Sequence, residues 1–471
     1  MLAFDDGGTE VPAQAVAGVV ALVFLGVLAV VAPWPLLERS WPLMALGSLV
    51  GFAGWVALST TWSSAVGDAV NDADRVAFYA AAFALAVVVF RAPALRRIAP
   101  DALLWGIVVV VLYALAGRLL PDLVDVEPSS FAGDRLSKPL PYWNAMGILA
   151  GFGVLLATAV ASDERRAAAY RGVACAAAVP CALACYLTFS RASWAAVGVG
   201  LVVLLALRPR VSATIAGGLW LMAAGVLAGL LRAFPAALHL ERGDAAQGSD
   251  GPPVMIAAIL LSALVGFAFV RMQRGRPVVD SDISESTGLL DRRGRNWLRA
   301  RGGLVAATAI GLVLAAGIGI SFFGERTEQI SKGADRVTSL KTYRGDYWRV
   351  ALGSFAEHPV AGVGARGFPV EWMRERDSKV FAVDAHSLYF ETLAELGLVG
   401  ALLLSALFAA IVGGVRRFRR AAPDDPLLAA GAAVLGAFAV HAGLDWDWEV
   451  PTVTLVALLM AAALIQRPDT T

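Results

Sequence analysis

Few residues in this chain have the type and placement to do chemistry. There are four histidines. One of them, His386, opens "HSLYFETLAELGLVGALLL", where a membrane-grade apolar run begins. Helix stability gives no reason for an imidazole there. An imidazole titrates near neutrality and can take the proton of an attacking hydroxyl. Arginines stand at comparable boundaries: Arg191 in "TFSRASWAA", and Arg344 and Arg349 in "RGDYWRVALGSFAE". A guanidinium offers a planar fork that matches phosphate oxygens. The segment "HAGLDWDWEVP" adds His441, Asp445, Asp447 and Glu449. A base, guanidiniums and acids at the ends of apolar segments point to a site for an anionic, membrane-held substrate. Each group also has a plain structural role to set beside this one. A lone histidine is tolerated at an interface, and an arginine can snorkel its charged tip to water. "DWD" matches a metal-binding D-x-D, but three-residue matches are common by chance; helix capping or pocket wetting accounts for these acids, and no metal or other cofactor is expected.

These residues need elements to hold them. The 471-residue chain is 58% hydrophobic and 16% charged, against about 25% charged for soluble domains. Apolar runs of roughly 17–22 residues recur, long enough as helix to cross about 30 Å of hydrocarbon. The predicted fold is all-α: a polytopic helical membrane protein with 12–13 transmembrane helices. The short alternating strands of an outer-membrane barrel do not dominate anywhere. Thirteen spans are predicted, at 13–32, 42–59, 76–90, 101–117, 144–161, 172–188, 193–207, 211–231, 254–270, 303–323, 387–413, 427–441 and 450–465. A net charge of +1 gives no pull toward nucleic acid. Cys175, Cys181 and Cys185 share one apolar run; their odd number and position fit neither a disulfide framework nor a zinc site. The N-terminal "MLAFDDGGTEVPAQ" lacks the basic start of a signal peptide.

Arginine sets the orientation. The short connections 91–97, 163–171, 208–210 and 416–420 and the longer stretch 271–302 are basic, and all fall on one parity of the span count. The positive-inside rule makes that face cytoplasmic, with the N-terminus outside and the C-terminus inside. The polar middle of 271–302, "DSDISESTG", reads as disordered. The chain divides into ten helices over 1–323, a large extracytoplasmic loop over 324–386, and three helices over 387–471. His386 then lies at the outer headgroup level.

The loop has internal order. Trp348, Ala351, Leu352 and Phe355 form one apolar helix face, with Ser354 away from its centre, and Pro359 ends the helix. An amphipathic helix on the outer membrane surface fits this pattern. "GVGARG" has the spacing of a dinucleotide loop, but no βαβ unit surrounds it, so it reads as a tight turn. Asp384 or Ser387 can cap the following span.

At these residues the chain resembles the O-antigen ligase/polymerase superfamily of bacterial membrane glycosyltransferases, over roughly 50–465. Four stretches carry the likeness. "HSLYFETLAELG" fits a histidine followed by glycine, His386 to Gly397. "YRGDYWRVALGSFAEHPVAGVGARGF" fits an arginine, a tryptophan at Trp348 and a Pro-x-x-Gly-x-Gly turn. "FSRASWAA" fits the arginine at the outer end of a central span. "RLSKPLPYWNAMGILAG", with Arg135 and Asn144, fits the entry to another span. Two departures stand out. Relatives often have about twelve spans with both termini inside, and the ligase motif carries leucine where Trp348 stands. Ligase and polymerase both stay open.

The resemblance implies a GT-C-like membrane enzyme in the cytoplasmic (inner) membrane whose active site faces outward. The donor would be a glycan on a polyprenyl diphosphate, and the acceptor a hydroxyl on glycan, lipid or protein. Transfer would be inverting and metal-independent. Arg191 and Arg344 would hold the diphosphate as it gains charge, with Arg349, Asn144, Arg135, His441, Asp445 and Asp447 binding substrate and His386 as general base. The rival is a transporter of lipid-linked glycan, which calls for charge or broken helices near midplane; here the polar groups gather at one face.

Overall fold

The protein is seen in a computed structural model that describes residues 2–31, 41–126, 131–239, 244–274, 292–323, 342–377 and 380–466. It is a polytopic helical membrane protein, and the described residues contain no strand. Every predicted span is a helix: α1 (Val11–Val31), α2 (Trp41–Ser59), α3 (Val66–Val89), α4 (Pro93–Leu119), α5 (Trp143–Ala161), α6 (Ala168–Leu187), α7 (Arg191–Leu207) and α8 (Val211–Ala233), then α10 (Asp244–Gln273), α11 (Arg292–Phe323), α14 (Leu388–Ala421), α15 (Pro426–Ala442) and α16 (Pro451–Leu464). A single turn, α9 (Pro235–Leu238), follows α8, and α12 (Arg344–Glu357) and α13 (Phe368–Glu375) lie between α11 and α14. The polar middle of 271–302 and the first part of the large loop, 324–341, lie outside the described residues.

Helix α5 is the centre. Every residue from Asn144 to Ala161 is buried, under α6, α7, α4 and α15. Its small residues permit that crowding. A Cβ on Gly151 or Gly153 would press to 2.6–2.7 Å on Val197 or Cys181. The three cysteines are buried, free thiols in this packing.

The two ends of α5, about 28 Å apart, differ in chemistry. At its C-terminal end Arg165 and Arg166 pair with Asp163 and Asp101, and Arg210 with Asp424. At its N-terminal end lie Asn144, the 3-10 turns at residues 2–8 and the connection between α15 and α16. Two of the arginine-rich connections, 163–171 and 208–210, thus meet the acids of 424–425 at one end of the bundle.

Three elements differ from the sequence pattern. Helix α3 begins at Val66 rather than near 76, because Asp72 and Arg75 pair with each other and Arg75 with Glu449, which lets charged helix continue into the interior. Helix α14 is broken at Gly397, which has φ 61° and ψ −158°. The turn 359–367 enters the break. Val363 N–H donates to the Ala394 carbonyl (3.0 Å), Gly364 N–H to that of Glu395 (2.9 Å), and Leu398 N–H to that of Pro359 (2.9 Å). A Cβ on Gly362 or Gly397 would fall 2.3–2.4 Å from backbone atoms across this contact, so glycine is required at both. "GVGARG" is thus a turn, as expected. On α12, the buried face is Tyr347, Trp348, Ala351 and Ser354, while Leu352 is exposed. The predicted apolar stripe is rotated because α12 packs on α13 and α14, where Trp348 stacks on Phe390 with centroids 4.8 Å apart.

Candidate active site

His386 is held by a cage built from four segments. Trp348 Nε1 donates to the Ala385 carbonyl (3.0 Å), and Ala385 N–H donates to Glu391 Oε2 (2.8 Å). Arg366 donates to Asp384 Oδ1 (2.8 Å), and Glu395 takes the N–H groups of Arg366 (2.9 Å) and Phe368 (3.1 Å). Ser387 occupies the N-cap of α14 without capping it, and Asp384 is committed to Arg366. Inside this cage His386 adopts a left-handed backbone, φ 53°, a conformation that persists only where surroundings enforce it. Its Nδ1 lies 3.1 Å from the Asp384 carbonyl. A carbonyl only accepts, so Nδ1 carries the proton and, in the neutral ring, Nε2 keeps its lone pair. Tyr347 and Trp446 flank the imidazole, with centroids 5.2 and 6.4 Å away.

Beside it, Asp445 organises the ends of three elements. Its Oδ2 accepts from Arg344 (2.7 Å) and Asn144 (2.6 Å), and its Oδ1 from the Tyr142 hydroxyl (3.1 Å) and the Trp446 N–H (3.1 Å). Arg344 opens α12 and Asn144 opens α5. Burial alone would raise the Asp445 carboxyl; Arg344, His386 and His441 outweigh it and hold the group below the usual carboxylate range. Arg344 therefore sits against a fixed anion, and its Nε has no partner among the described residues.

His441 and Asp447 lie deeper. His441 Nδ1 is 2.6 Å from Asp447 Oδ2, and Nε2 is 3.0 Å from Ser193 Oγ. Burial raises the Asp447 carboxyl above its usual value, with His441 opposing it. Arg191 is the first residue of α7, two before Ser193. Arg135 lies over the Trp143 ring, 3.5 Å from its centroid, and donates to the carbonyls of Ala132 and Phe131; it shapes the entry to α5. Arg349 stands apart. It pairs with Asp346 on the exposed side of α12, in a groove shared with Glu357, Glu371 and Glu375. The structure thus joins His386, Arg344, Asn144, Asp445, His441 and Asp447, and Arg191 begins the helix whose Ser193 meets His441.

The D-x-D residues part company, since Asp445 faces Arg344 and Asp447 faces His441. Indeed the run Asp445–Glu449 sends alternate residues to separate places. Trp446 packs on Tyr142 and Trp448 on Tyr79. Glu449 reaches Arg75 at 3.5 Å. Asp384, Glu391 and Glu449 bring carboxylate oxygens within 4.8 Å of one another, a spacing that could hold a metal ion. Arg366 already pairs with the first and Arg75 with the last. Burial, with Asp384 and Asp72 adding to it, pushes the Glu449 carboxyl up to about 8 against the pull of Arg75.

Sequence reasoning did not find Tyr142, Ser193, Arg366, Glu391 or Glu395. The two glutamates carried a usable signal: carboxylates inside an apolar span are rare and functional by default.

No curated protein matches the chain. Residues 176–405, which include Arg191, Arg344 and His386, match the family model described as O-antigen ligase. That match covers just under half of the chain, and over it this polytopic helical protein is similar to the O-antigen ligase family.

Proposed function

We propose that the protein transfers a glycan from a polyprenyl diphosphate to a hydroxyl acceptor at the extracytoplasmic face of the cytoplasmic membrane. The family match supports a ligase- or polymerase-type membrane glycosyltransferase. The arginine bias of the connections supports the orientation. The observation that carries the reaction is the contact of His386 Nδ1 with the Asp384 carbonyl, which leaves Nε2 as the candidate base beside the Arg344–Asp445 pair.

On this reading the acceptor oxygen attacks the anomeric carbon and passes its proton to His386 Nε2. The bond from that carbon to the diphosphate oxygen breaks on the opposite side, so configuration inverts. The leaving diphosphate gains negative charge, which Arg344 and Arg191 stabilise. Asp445 keeps Arg344 aimed, and Asn144 and Tyr142 keep Asp445 aimed. The guanidiniums supply the positive charge the leaving group needs.

The test is purified protein in detergent with a polyprenyl diphosphate-linked glycan and a hydroxyl acceptor, without nucleotide sugar. Release of polyprenyl diphosphate with transfer of the glycan is expected. Movement of intact donor across a vesicle bilayer, with its sugar–phosphate bond uncut, would replace this reading with a transporter.

A further inference from the structure

Ser193, His441 and Asp447 form a line of hydrogen bonds that the reaction above does not use. Their atoms follow the order of a serine–histidine–aspartate nucleophile, Oγ to Nε2 at 3.0 Å and Nδ1 to Oδ2 at 2.6 Å. Burial rules out that use. Ser193 and His441 have no exposed surface and Asp447 has 2%, so no substrate atom reaches Ser193 Oγ.

The line ends instead at the start of α7. Ser193 Oγ is 2.8 Å from Ser190 Oγ, and Ser190 caps the helix by accepting the Ser193 N–H at 3.3 Å. Arg191 lies between these two serines. Phe189, just before them, is left-handed at φ 51°, so the chain enters α7 through a turn that needs outside support. A lone serine hydroxyl rotates freely. An imidazole whose other nitrogen is tied to a buried carboxylate does not, and its bond to Ser193 is directional in a dry site. Helices α7 and α15 also pack along each other, so the end of α15 clamps the beginning of α7.

We propose that Asp447, His441 and Ser193 are positioning residues that fix the first turn of α7 and through it the aim of the Arg191 guanidinium at the donor diphosphate. The proposal rests on the diphosphate role given to Arg191 above. Its physical basis is that stabilisation of a developing charge depends steeply on placement, a misplacement of about 1 Å costing up to about a hundredfold in rate.

The experiment is a double-mutant cycle on transfer by full-length protein in detergent, normalised to folded protein. Asp447→Asn and His441→Gln each lower kcat about tenfold to a hundredfold, with KM for the acceptor unchanged. In an Arg191→Lys background the same substitutions change kcat by less than about twofold, because the group they position has already been lost. Ser193→Ala, which removes one hydroxyl and no charge, supplies the cycle if a His441 or Asp447 variant fails to insert. Equal losses in both backgrounds overturn the positioning role and leave the glycan-transfer reading standing; so does parental kcat in the single variants. Parental transfer by Arg191→Lys overturns the diphosphate role of Arg191 and the positioning role with it, and leaves the transfer reaction to the other residues.

Discussion

Two buried ionic clusters lie at the same end of the bundle, and they have opposite balances. Around Arg344 the acids are Asp445 and Asp447, against Arg344, His386 and His441. Beneath the His386 cage, Asp72, Asp384, Glu391, Glu395 and Glu449 face Arg75 and Arg366. The first has a surplus of groups that can bear positive charge and the second a surplus of acid. A diphosphate is drawn to the first, whereas the guanidiniums of the second are already paired with carboxylates. The first cluster therefore suits substrate, and the second suits the framework that holds His386. Both are made of the same side chains, so local charge balance separates the roles, not the presence of ionisable residues.

The comparison can be broken at several points. The largest effect is expected from His386→Ala. This variant should insert normally and lose about 10²–10⁴-fold in transfer, with lipid-linked donor accumulating in cells. Transfer at the parental rate by a normally inserted variant removes the base from the mechanism. Arg75→Ala strikes the other cluster, leaving Asp72 and Glu449 buried without their cation. Breaking a buried pair this way costs about 3–5 kcal/mol, so folded yield and thermal midpoint should drop sharply. Turnover per folded molecule should change far less. A well-folded Arg75→Ala protein that transfers no glycan would place the acidic cluster in the reaction and erase the distinction.

Arg344→Lys keeps the charge and loses the fork. Losing a charge-assisted contact of about 1.5–3 kcal/mol in the transition state should slow transfer about ten- to a hundredfold. Arg349→Lys, on the exposed side of α12, should stay within about twofold in the same assay. Similar losses from both would show that general loop electrostatics, and not the Arg344–Asp445 pair, governs turnover. The smallest effect concerns pH. Glu449 is raised from its ordinary 4.5 to about 8 in the fold, so the folded state holds this proton more tightly than the unfolded chain. Its stabilising share is complete below about 4.5 and is lost as pH rises through about 8. The thermal midpoint in detergent should fall across that window, and Glu449→Gln should flatten part of the slope. An unchanged slope in the variant assigns the titration to another group.

Much of the fold was legible because apolar length is a local property. All thirteen predicted spans are helices. What escaped depends on distant chain. The 387–413 segment reads as one span, yet the turn 359–367 breaks it at Gly397. Asp72 and Arg75 look like loop charges until Glu449 arrives beside them from the far end of the sequence. His386, Arg344 and Asp445 were found from type and position, and Asn144 through the family resemblance. The burial of His441 and Asp447 was not legible, since no spacing rule reveals that Ser193 on another helix will meet the imidazole. Arg349 has the right type on the right helix, but faces Asp346.

The alternation along Asp445–Glu449 has a consequence for making chimeras. Five successive residues serve five separate partners: Arg344, Tyr142, His441, Tyr79 and Arg75. Insertion or deletion of one residue would put an apolar side chain at every acid position at once, tryptophan at two of the three. Most interhelical connections tolerate a change of length, but this one is expected to tolerate none. A graft between relatives should carry 441–451 as a block, together with Tyr142, Ser193 and Arg75 on the three helices that receive it.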